Sequence, residues 1–239
     1  MELKGRDENL YSNAQDLERI VVDFYTSLFS SNGVSDVDTV IRSVQPRVTD
    51  TTNNTLCQPY NPGEVYQAFL QMHPGKAPGP NGLNPFFYQK FWPTVGADIT
   101  QTVLNILHGG DIPPYLNHTH IVLIPKKHHQ NDINNFRLIS LCNILYQLAM
   151  KVIANRLKTC LPGIILENQS AFVPGRMITN GILIAFEIFH DMTSRPRSNG
   201  GMALKLDMAK AFNRVEWPFL RVIMIKIGFH ADWVNLIMR

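Results

Sequence analysis

Chemistry-bearing residues first show themselves where Met202, Leu204 and Leu206 alternate with Ala203, Lys205 and Asp207. Strict alternation is the period of a half-buried strand. It places the Asp207 carboxylate at a strand's end, on the side away from the apolar face. By itself such an aspartate is usually only a cap or a turn residue. A second concentration lies in residues 118–160, where Lys126, Lys127, Arg137, Lys151, Arg156 and Lys158 stand against the single acid Asp132. A block of that sign attracts a phosphate backbone, although taken alone it reads more readily as a solvated face. A third is Pro74-Gly75-Lys76-Ala77-Pro78-Gly79-Pro80-Asn81-Gly82, in which prolines and glycines exclude regular structure and fix a tight loop.

The elements that must position these residues are partly written in the periodicity. Leu17, Ile20, Val21, Phe24, Tyr25 and Leu28 make one helical stripe, and Ser12 with Gln15 has capping-box spacing. Residues 31–60 read as a mostly irregular connection with a short helix around Val37–Val44, and Glu64–Met72 as a short helix. After the Pro/Gly loop, helical pattern resumes through Phe86–Trp92 and Val95–Leu107, closed by Gly109-Gly110 and Pro113-Pro114. His118–Pro125 and Asn135–Leu141 are β-rich runs with a polar turn between them, the pattern of a hairpin that would carry Lys126 and Arg137. Asn143 can cap the following helix, whose apolar face runs from Ile144 to Leu157. Residues 177–192 are helical in pattern and Ser194–Gly201 is a loop. Pro218 suits the first turn of a helix ending at Ile227, with Lys226 in its last turn and Gly228 as its stop.

The 239 residues, 45% hydrophobic and 17% charged, suffice for one ordinary globular domain or two small ones. A net charge of +3 conceals an acidic leader, in which residues 1–50 hold nine Asp/Glu and five Lys/Arg. Cys57, Cys142 and Cys160 are odd in number and widely spaced, which suits neither a disulfide framework nor a zinc site with paired-cysteine spacing. No run approaches the roughly 18 consecutive apolar residues of a membrane span, and no apolar core follows the charged N-terminus. The expectation is a soluble intracellular protein with no membrane partner, in the nucleus or cytoplasm.

Four segments in order then carry a resemblance. They are Lys76-Ala77-Pro78-Gly79-Pro80-Asn81-Gly82 with Phe87-Tyr88-Gln89-Lys90-Phe91-Trp92, Ile121-Val122-Leu123-Ile124-Pro125-Lys126 leading to Phe136-Arg137-Leu138-Ile139-Ser140-Leu141-Cys142-Asn143, Asn168-Gln169-Ser170-Ala171-Phe172-Val173-Pro174-Gly175-Arg176, and Leu204-Lys205-Leu206-Asp207-Met208-Ala209-Lys210-Ala211-Phe212-Asn213-Arg214-Val215-Glu216-Trp217. Together they resemble the successive blocks of a reverse transcriptase from non-LTR (LINE-type) retrotransposons, especially the plant elements. Group II intron maturases share the broad blocks, but the wording of Phe87–Trp92 and Ile139–Asn143 favours the LINE type.

The resemblance implies an RNA-directed DNA polymerase, a nucleotidyltransferase that uses an RNA template, a DNA primer and deoxynucleotide triphosphates. It also implies Mg²⁺, with Asp207 as the first metal-binding aspartate and the Met208 carbonyl as a further ligand. Phe212 matches the aromatic residue beneath the nucleotide sugar, where a ring would exclude a 2′-hydroxyl, although by type alone it also suits a core position. Lys126 and Arg137 match residues over the triphosphate, a task for which the Arg fork is suited. Lys127 joins them in the basic stretch as a nucleic-acid contact. Gln169, Gly175 and Arg176 match a block lying against the template, with Gly allowing close backbone approach and Arg contacting phosphate.

The implied fold is α+β, an incomplete right-hand polymerase with a helical leader over 1–60, a fingers-like subdomain over 61–200 and the start of a palm over 201–239. Asn81 stands where the family has Asp, Leu138 where it has Pro, and Asn213 where it commonly has Asp. The family's catalytic Asp-Asp dipeptide is absent from this sequence, and one carboxylate cannot position two Mg²⁺ ions. The expectation is therefore a truncated chain that is inactive alone and does not hold Mg²⁺ stably. The alternatives are a non-catalytic RNA-binding remnant and a relic open reading frame.

Overall fold

The computed structural model describes residues 2–5, 7–31, 33, 36–194 and 202–239. In chain order they form β1 (Leu3–Lys4), β2 (Leu10–Tyr11), α1 (Ala14–Phe29), α2 (Val37–Arg42), α3 (Asp50–Leu56), α4 (Pro62–Leu70), α5 (Pro85–Lys90), α6 (Trp92–Leu107), α7 (Pro114–Asn117), β3 (Thr119–Pro125), β4 (Phe136–Cys142), α8 (Ile144–Ile164), α9 (Ile178–Ser194), α10 (Trp217–Ile227) and α11 (Ala231–Ile237). The fold is helix-rich, with two small antiparallel sheets, β1–β2 and β3–β4. Two compact units interleave along the chain: residues 1–33 with 59–153, and residues 34–58 with 154–239. No helix among the described residues is long and apolar enough to cross a membrane.

In the first unit, α4 and α6 pack together through buried Val65, Ala68 and Phe69 on one side and Ile99, Val103 and Ile106 on the other. The Phe69 ring stacks on Trp92 at 4.0 Å. Helix α4 carries the capping box Asn61–Glu64, with Pro62 in its first turn. The N-cap of α1 is Asn13, whose side chain accepts from Asp16 N at 2.8 Å, rather than the expected Ser12. An amide side chain one residue closer to the first turn captures that donor. The β3–β4 hairpin forms as expected, with Val122 opposite Ile139 and Ile124 opposite Arg137. Ile144, Leu148, Ala149 and Val152 of α8 are buried.

In the second unit, α2 packs on α10. The amides of Arg47 and Val48 donate to Ile227 O at 2.8 and 3.1 Å. Asn53 links to the turn beyond α10 in both directions, donating to Gly228 O at 2.8 Å and accepting from His230 N at 2.9 Å. Gly228 ends α10 with φ +107° and has Val48 O only 3.1 Å from where a Cβ would lie, so the stop read from sequence is also a close approach. Arg156 donates to the carbonyls of Leu56 and Gln58. It therefore serves the backbone rather than a free basic face.

Three departures from the sequence reading stand out. Met202–Asp207 is not a strand: its residues are irregular and exposed, with Leu204 at 74% and Leu206 at 83% of full exposure. A strand exists by virtue of its ladder, and no described segment pairs with this one. Helix α9 extends to Ser194 and buries none of its residues. The rest of the expected loop, 195–201, lies outside the described residues. Helix α3, unmarked by any apolar stripe, is initiated by the Thr49 side chain accepting from Thr52 N at 3.2 Å.

Candidate nucleic-acid interface

Strand alternation decides how the hairpin presents its charges. On β3 and β4, His120, Val122 and Ile124 share a face with Leu141, Ile139 and Arg137, because these are the directly opposed pairs. Lys126 follows at the bend just beyond β3, its amide donating to Asn135 O at 2.9 Å. The pleat sets Arg137 on the face of Ile124, with Lys126 close by at the end of the strand. Both are exposed, as is Lys127. Among the described residues the side chains of Arg137 and Lys127 have no hydrogen-bond or ion-pair partner, whereas the Lys126 ammonium reaches Asn134 O at 3.4 Å. Donors left unspent by the protein are available to phosphate oxygens.

The Pro/Gly loop and the end of β4 are locked together. A Cβ on Gly79 would lie 2.5 Å from the Cys142 carbonyl carbon and oxygen and 2.6 Å from Asn143 N. Only glycine permits that approach. Asn143 is 2% exposed, and its side chain accepts from Asn81 N at 3.3 Å while donating to Tyr115 O at 2.7 Å and Leu116 O at 3.3 Å. The expected helix-capping role passes to its backbone, whose carbonyl accepts from Gln147 N at 3.0 Å. Asn81 in turn donates to the Tyr88 hydroxyl at 3.2 Å and accepts from Leu83 N at 3.1 Å. Burial pushes the Tyr88 hydroxyl above its ordinary range, against the opposing pull of the Asn81 amide.

The third block is one loop built around Arg176. Its guanidinium donates to Pro162 O and Ile165 O at 3.0 Å, to Gln169 O at 2.8 Å and to Leu166 O. These are carbonyls at and just beyond the C-terminal end of α8, where a cation is favoured. Gln169 is exposed and donates to Ala171 O at 3.1 Å. Gly175 has φ +77° and open space where a Cβ would stand. Its requirement is the turn Val173-Pro174-Gly175-Arg176, closed by Arg176 N to Val173 O at 3.3 Å, rather than close approach.

Asp207, Met208 and Phe212 lie on the irregular stretch before α10, all exposed, with Phe212 at 93%. Phe212 belongs to a short 3-10 turn, Ala211–Arg214, in which Asn213 N donates to Lys210 O at 3.0 Å. The described residues contain no group of three His, Cys, Asp or Glu side chains that could hold a metal ion. A single exposed carboxylate does not by itself fit a two-metal site. Lys126, Lys127 and Arg137 belong to the first compact unit, and Gln169, Gly175, Arg176, Asp207, Met208 and Phe212 to the second. The sequence reading missed Asn143 as a hub, because a buried amide with distant partners has no local signature.

Residues 124–239 match the family described as reverse transcriptase (RNA-dependent DNA polymerase). Those residues carry a reverse transcriptase domain, and the chain is homologous to a transposon protein. It is 32% identical, over 213 residues and 89% of its length, to the Transposon TX1 uncharacterized 149 kDa protein of Xenopus laevis. The match spans 16% of that relative's length. A frog relative at this identity shows that the likeness is not confined to plant elements.

Proposed function

We propose that this chain is the template- and nucleotide-facing segment of a LINE-type RNA-directed DNA polymerase. On this reading residues 61–200 act as fingers and 201–239 as the start of a palm, in an intracellular protein. The single observation that carries it is the exposed basic cluster at the β3–β4 hairpin, Arg137 on β4 and Lys126 just beyond the end of β3, with the Arg137 fork unspent. In strand extension a primer 3′-oxygen attacks the α-phosphate of a deoxynucleotide triphosphate, and charge builds on the attacking and leaving oxygens. Lys126 and Arg137 neutralise the triphosphate. Lys127, Gln169 and the loop that Arg176 and Gly175 shape face the template. Phe212 excludes a 2′-hydroxyl by its bulk. Divalent metal ions, Mg²⁺ above all, stabilise both oxygens in enzymes of this family. Asp207, with the Met208 carbonyl, would be this chain's part of such a site, which its single carboxylate does not complete.

The test is RNA binding against salt. Neutralising phosphates releases counterions, so affinity should fall steeply as salt rises, and replacing Lys126, Lys127 and Arg137 by Ala should reduce the log–log slope by about two to three units. Binding indifferent to ionic strength, or unchanged in the triple variant, overturns the reading. A second reading, a non-catalytic RNA-binding segment, is favoured by the lone Asp207 carboxylate. Under it the salt dependence is the same and no synthesis occurs.

A further inference from the structure

We infer that the amino-terminal β1–β2 ribbon is a strut that holds the tip of the β3–β4 hairpin and thereby sets where Lys126 presents its charge. This rests on the proposal that Lys126 meets phosphate. Strand β1 has two occupied edges. On one it pairs with β2, Leu3 opposite Tyr11 and Lys4 opposite Leu10, and Gly5 N donates to Asn9 O at 2.8 Å to close the ribbon. On the other, Lys4 N donates to Asn131 O in the hairpin turn at 2.7 Å. Leu3 is completely buried, although it sits at the very start of the described chain.

From Asn131 a continuous set of bonds leads to Lys126. The Asp132 carboxylate accepts from Asn134 N at 2.8 Å and from the Asn134 amide at 3.0 Å. Asn134 O accepts the Lys126 ammonium at 3.4 Å, and Asn135 O accepts Lys126 N at 2.9 Å. Buried Ile133 and Phe136 anchor this flank of the turn, while Lys126 to His129 on the other flank are exposed. A two-stranded hairpin is marginal without external support. Beside the tie, a cavity of about 560 Å³ lined by Lys4, Tyr11, Arg19, Phe24, Asp132 and Ile133 separates ribbon, α1 and tip. The Lys4–Asn131 bond is the backbone tie between ribbon and tip. Lys4 is a positioning residue through its backbone.

The experiment compares Lys4→Pro, which removes that donor while sparing the edge paired with β2, with Lys4→Ala, which keeps it. Lys126→Ala/Lys127→Ala serves as the control on the phosphate reading. Binding of single-stranded oligo(U) RNA and of dTTP is measured with salt, and amide exchange is followed at Ile133–Phe136. Lys4→Pro should speed exchange there and weaken binding about three- to tenfold with an unchanged salt slope, because the same phosphates are met by a tip that must first be ordered. Lys4→Ala should do neither. Weakening toward RNA alone or dTTP alone identifies which phosphate Lys126 meets, and either supports the strut. If Lys4→Pro matches Lys4→Ala while the Lys126/Lys127 variant weakens binding, the strut is overturned and the phosphate reading stands. If the Lys126/Lys127 variant binds like the parent, the phosphate reading fails and the inference with it. Should far-UV circular dichroism show Lys4→Pro unfolded, Leu3→Ala takes its place in the same comparison.

Discussion

Arg176 shows how a charge that looks like a ligand contact can be spent on the backbone. Four of its N–H groups go to the carbonyls of Pro162, Ile165, Leu166 and Gln169. Leu166 O also accepts from Gln169 N at 3.0 Å, and the guanidinium adds donors for carbonyls at and beyond the end of α8 that the helix itself cannot supply. Arg176→Ala should therefore lower stability by about 1.5 to 3 kcal/mol, the range for hydrogen bonds to a charged group. Arg176→Lys should recover less than half of that, since one ammonium cannot span carbonyls that a planar fork reaches from two sides. Urea unfolding measures both, and a Lys variant as stable as the parent contradicts the capping role. The sequence disclosed Arg176 and Gly79 as members of recognisable blocks, but not what each touches. Gly79's reason for being glycine is the backbone at Cys142, which no local spacing encodes.

Elements with strong local signals were legible. The hairpin followed from β-rich runs flanking a polar turn, α1 from its apolar stripe, and α10 from Pro218 and Gly228. Elements that depend on partners were not: β1 and β2 are two residues each, α3 has no stripe, and Met202–Asp207 has the period of a strand without a ladder. The helices of the first unit make a further prediction. The Tyr88 and Tyr146 hydroxyls, on α5 and α8, are both pushed above their ordinary 10.0 by burial. A raised folded value means that their stabilisation is complete below about pH 10 and is lost as pH rises through the folded values, because the unfolded chain gives up these protons first. Urea midpoints should decline above that point and decline less in Tyr146→Phe. A Tyr88→Phe/Tyr146→Phe protein with the parent's full alkaline decline would show that these two hydroxyls are not its source.

For the whole chain, the family relationship predicts polymerase chemistry and the donor set predicts its limit. Primer extension on an RNA template with Mg²⁺ or Mn²⁺ should show only background for these 239 residues, and the same background for Asp207→Ala. The expected deficit is many decades, each about 1.4 kcal/mol of barrier, because one carboxylate does not position two ions. Synthesis abolished by Asp207→Ala would instead show that a complete site assembles, with a partner chain as one route. The interleaving of the two units bears on something else, the order in which the protein can be made. The bond from Asn53 to Gly228 closes a separation of 175 residues, and Arg47 and Val48 wait for Ile227 in the same way. On a ribosome, α2 and residues 47–53 emerge early and lack their partners at α10 and the turn beyond it until residue 230 has been translated. The first unit can condense around its own helices meanwhile. The second must fold late and slowly, with an early strip of chain held open for its last helices, and is the part most exposed to chaperones and proteases during synthesis.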